Sequence, residues 1–110
     1  MFVIKGLPKI SLNDFYESKH WTNRLQIKNA YKDILNKKFG KTLISGNCIV
    51  EYTFNFERSP LDWDNCSAMV KMIQDTLFAN DKWSVIQQGT IKSVKSEYDY
   101  DYIVLNVIFV

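Results

Sequence analysis

Asn47-Cys48-Ile49-Val50-Glu51-Tyr52-Thr53-Phe54-Asn55-Phe56-Glu57 is the stretch on which the fold turns. Cys48, Val50, Tyr52, Phe54 and Phe56 point one way, while Glu51, Thr53, Asn55 and Glu57 mostly point the other. A strand has a side-chain period of two, so this run predicts a strand with one buried face. Ser59-Pro60 ends it, because proline lacks the ladder donor and restricts the residue before it.

On both sides of this strand the period becomes helical. Downstream, Met69, Met72, Ile73, Thr76 and Leu77 form the buried stripe of a helix from about Asp64 to Phe78, and Ala79 to Lys82 is a turn. Upstream, a longer helical pattern from about Lys19 to Phe39 carries Ile27, Ala30, Tyr31 and Ile34 on one side, with Gly40 as its stop. Ser11-Leu12-Asn13 before it reads as polar loop or cap chemistry, and Phe2-Val3-Ile4 as a short strand ending at Gly6-Leu7-Pro8. Two more strands, roughly Trp83 to Lys95 and Tyr100 to Val110, close the chain, with Ser96 to Asp99 as a hairpin connection. From Ile103 to Val110 the last strand is apolar on both faces, so helices are expected on one face and a second subunit on the other. The order β-α-β-α-β-β predicts an α+β fold: a mostly antiparallel four-stranded sheet with two helices packed on one face.

A length of 110 residues, 46% hydrophobic with seven Phe, six Tyr and three Trp, suits a single domain over residues 1–110 and excludes disorder. No apolar run approaches the roughly 20 residues that span a bilayer. Met1-Phe2-Val3-Ile4-Lys5 lacks a basic region ahead of a long apolar stretch, so no signal peptide is expected. Cys48 and Cys66 sit in no CxxC pattern and read as reduced core residues of a cytoplasmic protein; a lone His makes a zinc site unexpected.

The net charge of +2 hides an asymmetry: residues 1–46 net +6, while residues 47–110 net −4. Arg24, Lys28 and Lys32 recur every four residues on the long helix, a row that drifts by only about 80° and so keeps three cations on one face. Such a row suits phosphates; a solvated face is the alternative. In the acidic part, Asp62-Trp63-Asp64-Asn65 precedes a helix and Asn80-Asp81 follows it. Two aspartates at i, i+2 can lie together at a helix N-terminus, either as a capping turn or, joined by Asp81, as a hard-oxygen site suited to Mg²⁺. Asp64, Lys71 and Asp75 fall within about 40° on one helical face, so Lys71 either approaches that site or pairs with Asp75.

Two segments resemble the RusA-like family of Holliday junction resolvases, small Mg²⁺-dependent endonucleases of phages and prophages. The first runs Gly6-Leu7-Pro8, Ser11-Leu12-Asn13, Tyr16 and His20-Trp21-Thr22-Asn23-Arg24. The second runs Leu61-Asp62-Trp63-Asp64-Asn65, Lys71-Met72-Ile73-Gln74-Asp75-Thr76-Leu77 and Asn80-Asp81-Lys82-Trp83. The resemblance implies a homodimer that cuts branched DNA, above all four-way junctions, in recombination and repair. It places Mg²⁺, or Mn²⁺ as a substitute, on Asp62, Asp64 and Asp81, with Lys71 stabilising phosphate charge. Asn13, His20, Arg24, Lys28 and Lys32 would hold the DNA backbone, with no membrane and no nucleotide cofactor involved. There are departures: Ala68 stands where the family motif often has lysine, and Asn80 where it often has a second acidic residue. They leave a catalytically silent DNA-binding or phage accessory module as one alternative. A metal-dependent nucleotide phosphohydrolase is another, ranked last for want of a Gly-rich phosphate loop.

Overall fold

The computed structural model describes residues 1–17, 21–40, 44–79 and 82–110, and the side chains at 21 and 22 are left aside. Four strands, β1 (Phe2–Lys5), β2 (Cys48–Phe56), β3 (Ile86–Lys95) and β4 (Tyr102–Phe109), form one sheet in the order β1-β4-β2-β3. Among the described residues there are three α-helices, α1 (Leu12–Glu17), α2 (Trp21–Phe39) and α3 (Ser67–Leu77), and a 3-10 turn over Trp63–Cys66.

The alternation in β2 does what its period demands. Cys48, Val50, Tyr52, Phe54 and Phe56 are all buried, and Ile103 and Leu105 of β4 lie beside Phe54 and Tyr52 on the same face. This face joins Tyr31 and Leu35 of α2 and Met69, Met72 and Ile73 of α3 in a single core. On the opposite face Glu51 and Asn106 are paired and exposed, and Val3 and Ile108 also reach solvent.

Three expectations are corrected. The sheet is mixed: β1–β4 and β4–β2 are antiparallel, but β3 runs parallel to β2 and makes no ladder with β4. The expected hairpin at Ser96–Asp99 therefore does not form. A parallel neighbour needs a long crossover, which the segment carrying α3 supplies between β2 and β3. Exposed Gln87, Gln88, Thr90 and Lys92 suit β3 to an edge, whereas β4, apolar on both faces, takes an interior place. The chain crosses the end of β2 to get there, held by Ser96 N–H on the Phe56 carbonyl (2.7 Å) and Glu57 N–H on the Asp101 carboxylate (2.7 Å).

The second correction is a third helix, α1, in the stretch read as loop. Ser11 caps it, its Oγ accepting from Asp14 N–H at 3.0 Å, and Phe15 enters the core. Thirdly, α3 begins at Ser67 rather than at Asp64, because the preceding turn is wound as a 3-10 helix. The C-terminal stop of α2 is as read: Gly40 adopts φ +70°, and its N–H still donates to the Asn36 carbonyl at 2.8 Å. No helix in the described residues is long and apolar enough to cross a membrane.

Candidate functional site

The segment that leaves β2 carries the paired aspartates, and side chains from distant parts of the chain hold its backbone. Lys95 Nζ donates to the Arg58 carbonyl at 3.1 Å, Lys9 Nζ to the Ser59 carbonyl, and Ser93 Oγ to the Leu61 carbonyl. Lys9 also lies 4.9 Å above the Phe56 ring, tying the same strand end to the N-terminal loop. Asp62 is extended (φ −58°, ψ 146°), and the chain then winds through Trp63–Cys66 into α3. The Asp62 carbonyl accepts from Asn65 N–H at 2.9 Å, but its carboxylate makes no capping hydrogen bond. Both Asp62 and Asp64 are exposed, as the Trp63 side chain between them is. The capping alternative is thus not met at Asp62, whose carboxylate stays at the surface.

Cys66, buried inside the turn, reports on both carboxylates. Burial above all pushes its thiol up from the ordinary range; a hydrogen bond with Ser93 opposes this, Asp64 and Asp62 add to it, and Lys9 opposes it. The third carboxylate, Asp81, and its neighbour Asn80 lie outside the described residues, as does His20. Among the described residues, no three His, Cys, Asp or Glu side chains gather in a metal-holding group. Cys48 and Cys66 are free, buried thiols.

With α3 starting at Ser67, Asp64 is not on the helix of Lys71 and Asp75, so the shared-face argument does not carry over. Lys71 pairs with Asp75 across one turn, Nζ to Oδ1 3.0 Å. Asp64 reaches this part of the molecule through its backbone, its carbonyl accepting from Ser67 Oγ.

Ser67 also lines an open cavity of about 610 Å³ between α1, α2 and α3. Its cations are Arg24 and Lys28 from α2 and Lys71 from α3, with Asp75 as the acid. Its apolar lining comes from Leu12 and Phe15 of α1, Leu25 of α2, and Ala68 and Met72 of α3. A second cavity of about 350 Å³ continues along the same two helices, with Lys28 and Lys32 opposite Asp75 and Thr76. The row Arg24, Lys28, Lys32 thus follows the α2–α3 groove, while exposed Asn13 on α1 does not line either cavity.

Tyr31 fixes α2 in this position. Fully buried, it donates its hydroxyl to the Pro8 carbonyl at 2.5 Å, and burial holds its phenol far above the ordinary tyrosine range. Tyr52 does the same for α3, donating to Gln74 Oε1 at 3.2 Å. The sequence reading missed the backbone clamps Lys9, Ser93 and Lys95, for which no local pattern exists. It also missed Leu12, Phe15, Tyr16 and Leu25 as cavity residues. A signal was present for α1: Ser11 as N-cap, followed by apolar residues at 12, 15 and 16 in helical spacing. Comparison with protein-family models, with curated proteins and with solved structures finds no match to this chain.

Proposed function

We propose that the chain is a RusA-like, Mg²⁺-dependent, structure-selective endodeoxyribonuclease that cuts branched DNA, four-way junctions foremost. One observation carries the reading: the exposed pair Asp62 and Asp64 adjoins, through Ser67, a groove whose walls present Arg24, Lys28 and Lys71. The donors fit the ion, since the exposed carboxylates of Asp62 and Asp64 are hard oxygens of the kind Mg²⁺ takes while keeping several waters. Asp62 and Asp64, with Asp81, would hold Mg²⁺ or Mn²⁺, which supplies Lewis acidity towards a scissile phosphate. The protein's own side chains position the substrate. Arg24, Lys28 and Lys32 take successive backbone phosphates, with Asn13 and His20 as the further contacts that the resemblance implies, and contacts of this kind orient DNA without reading its sequence. Lys71, drawn between Asp75 and a phosphate, offsets charge that builds up there.

Symmetric cutting of two strands asks for two copies of the chain. The sheet face opposite the helices, where Val3 is 39% and Ile108 46% exposed, is where a second copy would pack. A cytoplasmic location follows from this role.

The test is cleavage of a synthetic four-way junction in Mg²⁺. Losing a group that only supports a metal ligand costs roughly 10–100-fold, so Asp64→Asn is expected to cost at least about 100-fold. Cleavage by Asp64→Asn at the wild-type rate refutes the assignment. A second reading, a silent DNA-binding module of the same fold, is favoured by Ala68, only 4% exposed at the cavity wall where the resemblance has lysine. It predicts junction binding that weakens steeply with salt and no cleavage with either Mg²⁺ or Mn²⁺.

A further inference from the structure

The cavity between α1, α2 and α3 holds more than phosphate contacts require. A DNA backbone lying along α2 needs cations alone, and Arg24, Lys28 and Lys32 provide them in a row. Beside that row the chain builds an apolar recess. Ala68 and Met72 are buried in its wall, 4% and 3% exposed, while Leu25 and Tyr16 stand at its rim, 45% and 66% exposed. At about 610 Å³ it is too small for a duplex and falls within the roughly 300–1,000 Å³ of sites that enclose small ligands. Apolar walls under a cationic edge suit one kind of guest, a flat apolar body carrying an anion.

We propose that this cavity receives a single unpaired nucleotide, its base against Leu25, Ala68 and Met72 and its phosphate between Arg24 and Lys28. The inference rests on the nuclease reading and names the feature of the substrate that the site takes. Taking a base out of a stacked duplex costs a few kcal/mol, and least where pairing is already broken, as at a branch point. A pocket for one unstacked nucleotide next to the paired aspartates therefore selects branched over linear DNA by shape, with no base-specific contact. Asp75, which lines both cavities and pairs with Lys71, occupies that cation until a phosphate competes for it.

The experiment titrates thymidine 5′-monophosphate, and separately inorganic phosphate, into the methyl-labelled full chain without metal, followed by NMR. The nucleotide is expected to move the methyl signals of Leu25, Ala68 and Met72, while inorganic phosphate leaves them in place. Arg24→Ala combined with Lys28→Ala is expected to weaken nucleotide binding by about tenfold or more, the loss of two charge-assisted contacts. Leu25→Ala, at a rim position 45% exposed, is expected to weaken binding of the nucleotide but not of phosphate. Asp75→Asn is expected to strengthen both. Unmoved methyls at millimolar nucleotide, or equal movement with phosphate alone, overturn the proposal. The two readings fail separately. Junction cleavage with unmoved methyls removes the pocket and leaves the nuclease, whereas moved methyls with no cleavage keep the pocket and remove the nuclease.

Discussion

α2 and α3 face each other across one groove, but the chain holds them by different means. α3 has 11 residues and buries six of them, Ala68, Met69, Met72, Ile73, Thr76 and Leu77. α2 has 19 residues, yet among its described side chains only Tyr31 and Leu35 are fully buried, with Ile27, Ile34 and Phe39 packed partly against the core. The short helix is a structural wall whose outer edge carries Lys71 and Asp75. The long one is anchored at a few points, by Tyr31 on Pro8 and by Phe39 edge-on to Phe2 (5.3 Å), and gives most of its length to solvent and cations. Division of this kind lets a surface be strongly charged without weakening the fold, since exposed lysines cost a domain little.

The difference can be broken first at α3. Ile73 is fully buried in the core, and Ile73→Ala is expected to cost about 2–5 kcal/mol by denaturant titration, through lost burial and the cavity left behind. A cost below about 1 kcal/mol would show that α3 is not the wall described.

At α2 the expected loss is smaller and has a signature in pH. Tyr31→Phe removes the hydrogen bond to Pro8 and is expected to cost about 1 kcal/mol near neutral pH. Burial raises the Tyr31 phenol well above the ordinary value of about 10, so the folded chain keeps a proton that the unfolded chain releases in alkali. The sign follows: this contribution is full below the unfolded value and falls as pH rises above it towards the folded one. Wild type should therefore lose more stability than Tyr31→Phe between neutral and strongly alkaline pH, and parallel curves would contradict this.

The smallest expected change in stability is at the cation row. Lys28→Ala should leave stability within about 0.5 kcal/mol. On the proposed function it should also weaken junction binding and flatten the slope of log affinity against log salt by about one, the mark of a lost phosphate contact. A destabilised variant, or an unchanged slope, would take Lys28 out of the DNA-holding row.

Much of this arrangement is legible along the chain because it depends on periodicity. The alternation through β2, the stripe Met69, Met72, Ile73, Thr76, Leu77 and the cation row at every fourth residue each follow from local backbone geometry. The site was legible only in part. Asp62 and Asp64 stand out because two carboxylates close together at a helix start are an unusual concentration of charge. The turn that winds them as 3-10 rather than α, and so removes Asp64 from the face of Lys71 and Asp75, follows a segment whose carbonyls at 58, 59 and 61 are held by the distant residues 95, 9 and 93.

By itself, then, the sequence determined the α+β class, the buried faces of β2 and α3, the end of α2 at Gly40 and the separation of basic from acidic halves. Tertiary structure alone decided that β3 lies parallel to β2 at the sheet edge, that β4 crosses to an interior position, and that α1 closes one side of the cavity. The physical reason is one of range. Period and capping are settled among residues a turn apart, whereas strand partners are chosen by competition between distant segments for the same backbone donors and acceptors. β4 reaches the interior place because it is apolar on both faces, and β3, with Gln88, Thr90 and Lys92 exposed, is left the edge.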